Sequence, residues 1–374
     1  MKTEHILVIR FSAMGDVAMV VPVVSALARQ YPHVRITVLS RPFARPLFEN
    51  LASNVGFMEA DLQNEYHGIK GLNALYRRLI AKNFTAIADL HNVLRSDYLR
   101  MRFNLANFHV AHINKHRAER RHLTQYNGKV LQPLPSIFES YAYVFEELGY
   151  PIDLSEKGKF LTDNDNATVE AKETAIKEKI HPTSKYYFPL LPLRQLPSVI
   201  GEKRPFQQWI GIAPFAAHRG KAYPISLMEQ VIAQLQQRHP SARFFLFGGG
   251  QQEIQQLHNL QQHYPKSICV PDILHGLLEE LSLMSHLDVM ISMDSANMHL
   301  ASLVHTPVVS VWGATHPYAG FMGWQQNPNL AVQIDLSCRP CSIFGNKRCL
   351  RKDYACLRNI SPELIINKVE QVLK

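Results

Sequence analysis

The chain has no apolar run long enough to cross a membrane. Its longest apolar stretch near the start, residues 17–28, has twelve residues and contains Pro22, whereas a membrane-spanning helix needs about 20. A complete secretion signal is missing too. Ala26, Leu27 and Ala28 have the small-residue form of a cleavage site, but Arg10 and Asp16 interrupt the apolar region that should precede it. The expectation is a soluble, cytoplasmic protein. There is no Walker loop and no G-x-S-x-G elbow, which argues against a P-loop NTPase and an α/β-hydrolase. Acidic residues are the scarcer charge, 31 against 40 Lys and Arg in 374 residues, for a net charge of +9.

That charge is concentrated. Residues 70–130 hold twelve Lys and Arg against three Asp and Glu, with His91, His109, His112, His116 and His122 among them. Such a segment is either a solvated basic surface or a docking face for something anionic: phosphate, an acidic sugar, nucleic acid or lipid headgroups. With 46% hydrophobic residues the chain can fill two cores.

The first forty residues read as strand, turn, helix and strand. His5 to Ile9 is an apolar, β-branched run, Ser12 to Asp16 a turn, residues 17–31 a helix with Pro22 in its first turns, and Val34 to Leu39 a second strand. This is a βαβ unit and implies a parallel sheet. Further strands are expected at residues 86–90 and 109–113, and helices near 71–82 and 137–148. A charged stretch at 163–180 reads as helix. Residues 181–206 contain Pro182, Pro189, Pro192, Pro197 and Pro205, which forbid a regular element. The alternation then resumes. Strands are expected at 209–213, 242–247, 289–292 and 307–312, and helices at 226–238, 252–263, 277–285, 298–304 and 361–373. Ser226 and Glu229 are placed to cap the first of these helices. The reading is two doubly wound domains facing a central cleft, with ligands at the carboxyl ends of the strands. The expected divisions are 1–180, a linker at 181–206, a second domain at 207–360 and a terminal helix at 361–374.

Four loops carry chemistry. Gly15-Asp16 lies between a strand and a helix, where the carboxylate either caps the helix or takes a proton from an attacking hydroxyl. The run Met293-Asp294-Ser295-Ala296-Asn297-Met298-His299 opens another helix, whose backbone N–H groups and dipole suit a diphosphate. Lys221, in a loop after a strand, is suited to neutralise a leaving diphosphate. Gly248-Gly249-Gly250 with Glu253 resembles a nucleotide-binding turn with a ribose partner, although it departs from the G-x-G-x-x-G spacing. Cys338, Cys341, Cys349 and Cys356 fall in a C-x2-C-x7-C-x6-C pattern while Cys269 stands alone. Four thiolates at this spacing suit a structural zinc, with iron second and two disulfides as the alternative. Basic residues surround the four, so a nucleic-acid-binding knuckle is a further reading.

Taken in order, these loops resemble glycosyltransferase family 9, the ADP-heptose:lipopolysaccharide heptosyltransferases. Arg10 to Val17 is similar to the family's R-x-S-x-x-G-D-V, and Asp89 to Ser96 to its D-L-x-x-x-x-R-S. Lys221 to Pro224 is similar to K-x-W-P. Asp294 to Leu300, then Pro307 to Val309 and Gly313 to Pro317, are similar to D-[ST]-G-x-x-H-L…P-x-[VI]…G-x-T-x-P. A four-Cys segment near the C-terminus also resembles part of the family. Ala296 stands where the family usually has Gly.

The resemblance implies an α/β GT-B fold and an inverting transfer, with no catalytic metal, of heptose from ADP-heptose to a lipopolysaccharide core or related anionic glycolipid. It implies Asp16 as general base. Lys221, Gly248, Glu253 and the turn Asp294, Ser295, Ala296, Asn297, Met298 and His299 become donor contacts. Arg95, Arg117, Arg120 and Arg121 become acceptor contacts. The partners implied are a nucleotide sugar, an anionic glycan or glycolipid, and the membrane surface at the cytoplasmic side. Two rival readings stand beside it: a nucleic-acid-binding protein using the basic face and knuckle, and a nucleotide-sugar-binding protein without turnover. The basic segment lacks a recognition-helix or RNP-type signature, so no nucleic-acid partner is expected.

Overall fold

The computed structural model describes residues 4–155 and 186–374. The helix expected over 163–180 and residues 181–185 of the proline-rich stretch lie outside them. The chain divides into two compact units. One gathers the described residues of Met1–Phe11, Val21–Ile113 and Tyr141–Pro189. The other gathers Ser12–Val20, Asn114–Ser140 and Leu190–Lys374.

The first unit is built on a parallel sheet of β1 (His5–Ile9), β2 (Arg35–Ser40), β3 (Val55–Glu59), β4 (Ala86–Asp89) and β5 (His109–His112), in the order β3-β2-β1-β4-β5. Every residue of β1 is buried. A parallel strand covered on both faces reads as a continuous apolar run, which is why His5 to Ile9 was visible in the sequence. Leu7, Ile9, Leu75, Leu79, Ile87, Leu99 and Phe103 share one core. They come from the sheet and from α4 (Gly68–Ile80) and α5 (Leu94–Leu105). The helix expected over 17–31 is two helices, α1 (Met14–Ala18) and α2 (Val20–Gln30). Pro22 has no N–H to give the Ala18 carbonyl, and the break falls there. A short α3 (Arg45–Phe48) packs on β3.

The second unit has a six-stranded parallel sheet of β6 (Trp209–Ala213), β7 (Arg243–Leu246), β8 (Ser267–Cys269), β9 (Val289–Met293), β10 (Val308–Val311) and β11 (Ala331–Val332). Their order is β11-β10-β9-β6-β7-β8. α6 (Arg117–Thr124) belongs to the second unit and α7 (Ile137–Glu147) is divided between the two. The other helices of the second unit's latter part are α8 (Ile225–Arg238), α9 (Gln251–His263), α10 (Leu277–Met284), α11 (Ala296–Leu303), α12 (Ala355–Arg358) and α13 (Pro362–Leu373). α8 begins one residue before Ser226, with Pro224 at the cap position and no side-chain cap bond. The expected Ser226 cap is therefore not formed. α13 buries Ile365, Ile366 and Val369 in the same core as α8. It is tied to α8 by Arg238, which pairs with Glu363 at 2.8 Å and Glu370 at 3.0 Å.

Each sheet is wound from its middle. In the first, the chain runs outward from β1 to β3 and returns to β4. In the second, it runs from β6 to β8 and returns to β9. The strand order thus reverses between β1 and β4, and between β6 and β9. Loops at the carboxyl ends of such strand pairs are where doubly wound sheets hold ligands. Among the described residues, no helix is long and apolar enough to cross a membrane.

Candidate functional site

At the switch point of the second sheet, the loop after β6 carries Lys221 and the loop after β9 carries Asp294. Lys221 Nζ lies 2.9 Å from Asp294 Oδ2, and both side chains are largely buried. The pair therefore bridges the two strand ends between which the order reverses. Gly220 lets the Lys221 loop pack against the four-cysteine segment, since a Cβ there would sit 2.6 Å from the Gly345 carbonyl oxygen. The Gly220 carbonyl accepts the Ala314 N–H at 2.8 Å and its N–H donates to Gly345 O at 3.2 Å. The Lys221 loop is thereby stitched to both the loop after β10 and the four-cysteine segment.

Ser295 occupies the cap position of α11 but makes no side-chain cap bond to the first backbone N–H groups of that helix. Ala296, Asn297, Met298 and His299 form its first turn. The His299 ring is buried against α1: a Cβ on Gly15 would meet His299 Cδ2 at 2.8 Å and Ala296 Cα at 3.3 Å. Gly at position 15 lets the two helices touch. The next residue, Asp16, is half-buried. One of its oxygens accepts the Ala13 N–H at 3.1 Å, so the capping role open to it in the sequence is in place. Burial pushes the His299 pKa down to about 4, against the opposing pull of the Asp294 and Asp16 carboxylates. His299 is thus neutral at neutral pH, and among the described residues its Nδ1 has no hydrogen-bond partner; the buried Thr315 hydroxyl has none among them either. Asp16, Lys221, Asp294 and the first turn of α11 form one cluster within one unit.

The remaining sequence candidates are spread more widely. Gly248 follows β7 on the same carboxyl edge. Glu253 accepts the Gly249 N–H at 2.9 Å and so closes the turn that opens α9. Arg117 and Arg121 are exposed on α6, while the Arg120 guanidinium lies over the rings of Phe321 at 5.1 Å and Phe344 at 5.9 Å. Arg95 is exposed on α5 in the other unit. The motif around it has a scaffolding job that the sequence did not announce. Asp89 is buried and its Oδ1 accepts the N–H groups of His91 and Asn92, both at 2.9 Å. Ser96 Oγ accepts the Val93 N–H at 3.0 Å. Arg10 donates to the Leu90 carbonyl at 2.7 Å.

Cys338, Cys341, Cys349 and Cys356 line one cavity of about 10 Å³ with Arg339, Arg351 and Asp353. None of the cysteines forms a disulfide. Burial pushes the Cys341 thiol up, and that of Cys356 to about 11. Arg339, one of the basic residues around the four cysteines in the sequence, is caged by carbonyls. It donates to Gly313 O, to Ile334 O, to Thr315 O at 2.9 Å and to Trp312 O at 3.3 Å. Cys341 N donates to Ala314 O at 3.0 Å. The segment is therefore bound to the loop after β10, which is bonded to the Lys221 loop. Cys269, solitary in the sequence, stands with His258 and Asp272, their ligand atoms within 4.8 Å of one another.

Residues 72–349 match the model of glycosyltransferase family 9 (heptosyltransferase). The chain is 26% identical to lipooligosaccharide heptosyltransferase 2 of Campylobacter jejuni over 172 residues, 44% of this chain and 51% of that protein. It spans about half the length of the curated relatives it matches. The E. coli heptosyltransferase WaaC, solved with ADP, superposes with a TM-score of 0.61 at 15% identity, covering 98% of this chain and 99% of that one. The iron-containing dodecameric glycosyltransferase TibC from enterotoxigenic E. coli superposes with a TM-score of 0.52 at 13% identity, covering 99% and 76%. With the two parallel sheets, these likenesses bear out the α/β, GT-B expectation.

Proposed function

This chain belongs to glycosyltransferase family 9, and on that premise we propose that it is an inverting transferase moving heptose from ADP-heptose to a lipopolysaccharide core or related anionic glycolipid. The observation that carries this reading is the Lys221–Asp294 ion pair at the switch point, beside an uncapped helix start and Asp16. A buried lysine held by one carboxylate is preorganised for an incoming anion and costs little reorganisation when the anion arrives. The donor diphosphate rests on the first N–H groups of α11 and on Lys221, which turns from Asp294 toward it. Asp16 accepts the proton of the acceptor hydroxyl. The hydroxyl oxygen bonds to the anomeric carbon from the face opposite the diphosphate, and the sugar–phosphate bond breaks with its electron pair leaving on ADP. Lys221 and the helix dipole stabilise the charge that develops there, the role a metal plays in other transferases. Glu253 and Gly248 stand in this account as ribose-side contacts, and Arg95, Arg117, Arg120 and Arg121 as grips for acceptor phosphates or carboxylates. The protein works at the cytoplasmic side of the membrane as a peripheral protein.

A structural metal, zinc or iron, belongs to the same proposal. Four thiols outside any disulfide line one small cavity and offer the ligand set of a closed thiolate site, and the iron in the similarly folded TibC supports the second metal. When bound, the metal supplies a cross-link, and the Cys341–Ala314 and Gly345–Gly220 bonds carry it to the donor loop. Cys338→Ser or chelation should lower the melting temperature by several degrees and remove one metal equivalent by elemental analysis. A metal-free wild-type protein would end this part. The transfer itself is tested by thermal shift against nucleotide sugars, then by ADP release with a lipopolysaccharide core acceptor. ADP-heptose should raise the melting temperature most. No stabilisation by any nucleotide sugar would overturn the reading.

A further inference from the structure

The outer face of α5 is apolar where a solvated helix should be polar. Leu94, Met101 and Leu105 are 88%, 49% and 76% exposed. At about 100° per residue they fall within roughly 20° of one line along the helix. The buried residues Ser96, Leu99 and Phe103 occupy the opposite side by the same count. Singly exposed apolar side chains are ordinary, but an aligned row of them diametrically opposite the core is the pattern of a helix that buries a second face elsewhere. The neighbouring α4 adds Ile69, 68% exposed. The two helices are clamped together: Tyr98 donates to Asn73 at 2.7 Å, and Arg102 lies over the Tyr76 ring at 4.5 Å.

The charges carried by the two helices are nearly all basic. α4 and α5 together carry Lys70, Arg77, Arg78, Arg95, Arg100 and Arg102 against the single acid Asp97. Asp97 is paired with Arg100 at 2.8 Å. Lys70, Arg77 and Arg95 are exposed. We propose that this face of α4 and α5 docks on the surface of an anionic lipid bilayer, with Leu94, Met101 and Leu105 entering the headgroup boundary and the flanking Lys and Arg reaching lipid phosphates. The inference deepens the peripheral contact proposed above by naming the surface, and it rests on that reading for its partner. Charge selects the partner. A second copy meeting this face through a twofold axis would set the exposed Lys70, Arg77 and Arg95 against the same three residues, whereas acidic headgroups complement them. Long basic side chains beside a shallow apolar row can keep their charges in the headgroup layer while their stems follow the row inward.

The test is co-sedimentation of the full chain with vesicles of phosphatidylcholine alone and of equimolar phosphatidylcholine and phosphatidylglycerol. The wild type should bind the anionic vesicles, and less so at high salt. The triple variant L94Q/M101Q/L105Q should lose at least about tenfold in partitioning while keeping its melting temperature and its stabilisation by ADP-heptose. The double variant K70Q/R77Q should bind more weakly and with a shallower salt dependence. Undiminished binding by the triple variant overturns the proposal, as does a wild type that ignores anionic vesicles. A wild-type dimer that the triple variant converts to monomer also overturns it, and gives the face to a second copy. The vesicles carry no acceptor sugar. A protein that sediments with them but transfers no sugar therefore fails the proposed function and keeps this inference, and the converse result separates the two the other way.

Discussion

At the switch point of the first sheet, Asp89 is closed off by the protein. It takes the N–H groups of His91 and Asn92 and lies 3.3 Å from Arg100, while Arg10 is spent on the Leu90 carbonyl. At the switch point of the second sheet, Lys221 and Asp294 hold each other, the helix start beside them has no side-chain cap, and a neutral histidine is packed behind. The two positions are topologically alike and electrostatically different. In the first, the buried charge is answered by two backbone N–H groups and by Arg100, so little is gained by exchanging them for a ligand. In the second, a lysine is answered by one carboxylate, which the diphosphate of the proposed donor would replace. The fold supplies the crevice edge twice; the side chains decide which edge is used.

This contrast can be broken experimentally. The largest effect is expected at Asp16: Asp16→Ala should cut turnover by roughly 10²–10⁴ with an unchanged melting temperature. A near-normal rate would remove Asp16 from the chemistry. Next, Lys221→Ala should lower kcat/KM by roughly 10²–10³ and weaken ADP binding. Unaltered kinetics would show that the ion pair is scaffolding, like its counterpart in the first sheet. Asp89→Asn should do the reverse. It should cost about 1–3 kcal/mol of stability in a denaturant titration, with donor affinity retained, and a selective loss of donor affinity would erase the contrast.

The smallest effect concerns pH. The His299 pKa is about 4 in the folded protein, below its ordinary value of 6.5. Above about 6.5 both folded and unfolded chains carry it neutral, and its contribution to stability is complete. As the pH falls from 6.5 toward 4 the unfolded chain takes up the proton first, and that contribution is lost. His299→Gln should therefore show a gentler decline in melting temperature across this window than the wild type. Parallel curves would mean that burial is not holding the ring neutral.

Strands buried on both faces were legible because burial leaves an unbroken apolar run: β1, β6 and β9 are of this kind. The edge strand β3 was not, since Gly56 and Glu59 face solvent and break the pattern. Nor was the three-residue β8. α5 escaped notice for a physical reason, because apolar residues on both its core side and its outer side cancel the helical period. α6 is almost wholly polar, and is fixed by Leu123, Thr124 and the packing of Arg120 on two phenylalanine rings. At the candidate site, the positions of Asp16, Lys221 and Asp294 at strand ends could be read from the alternation of strands and helices. Their mutual distances could not. The Lys221–Asp294 pair, the contact of His299 with Gly15 and the carbonyl cage of Arg339 join residues far apart in the chain, and only tertiary packing brings them together. Glu253 shows the opposite limit: a local turn explains it as well as a ligand does.

In the proposed mechanism, proton transfer and donor binding reside in different residues of one cluster. Calorimetric titration of ADP-heptose into the wild type and Asp16→Asn, beside turnover of both, tests it most directly. Asp16→Asn should bind ADP-heptose within about twofold of the wild type and yet lose at least about 10² in turnover. Turnover that survives in Asp16→Asn would contradict it.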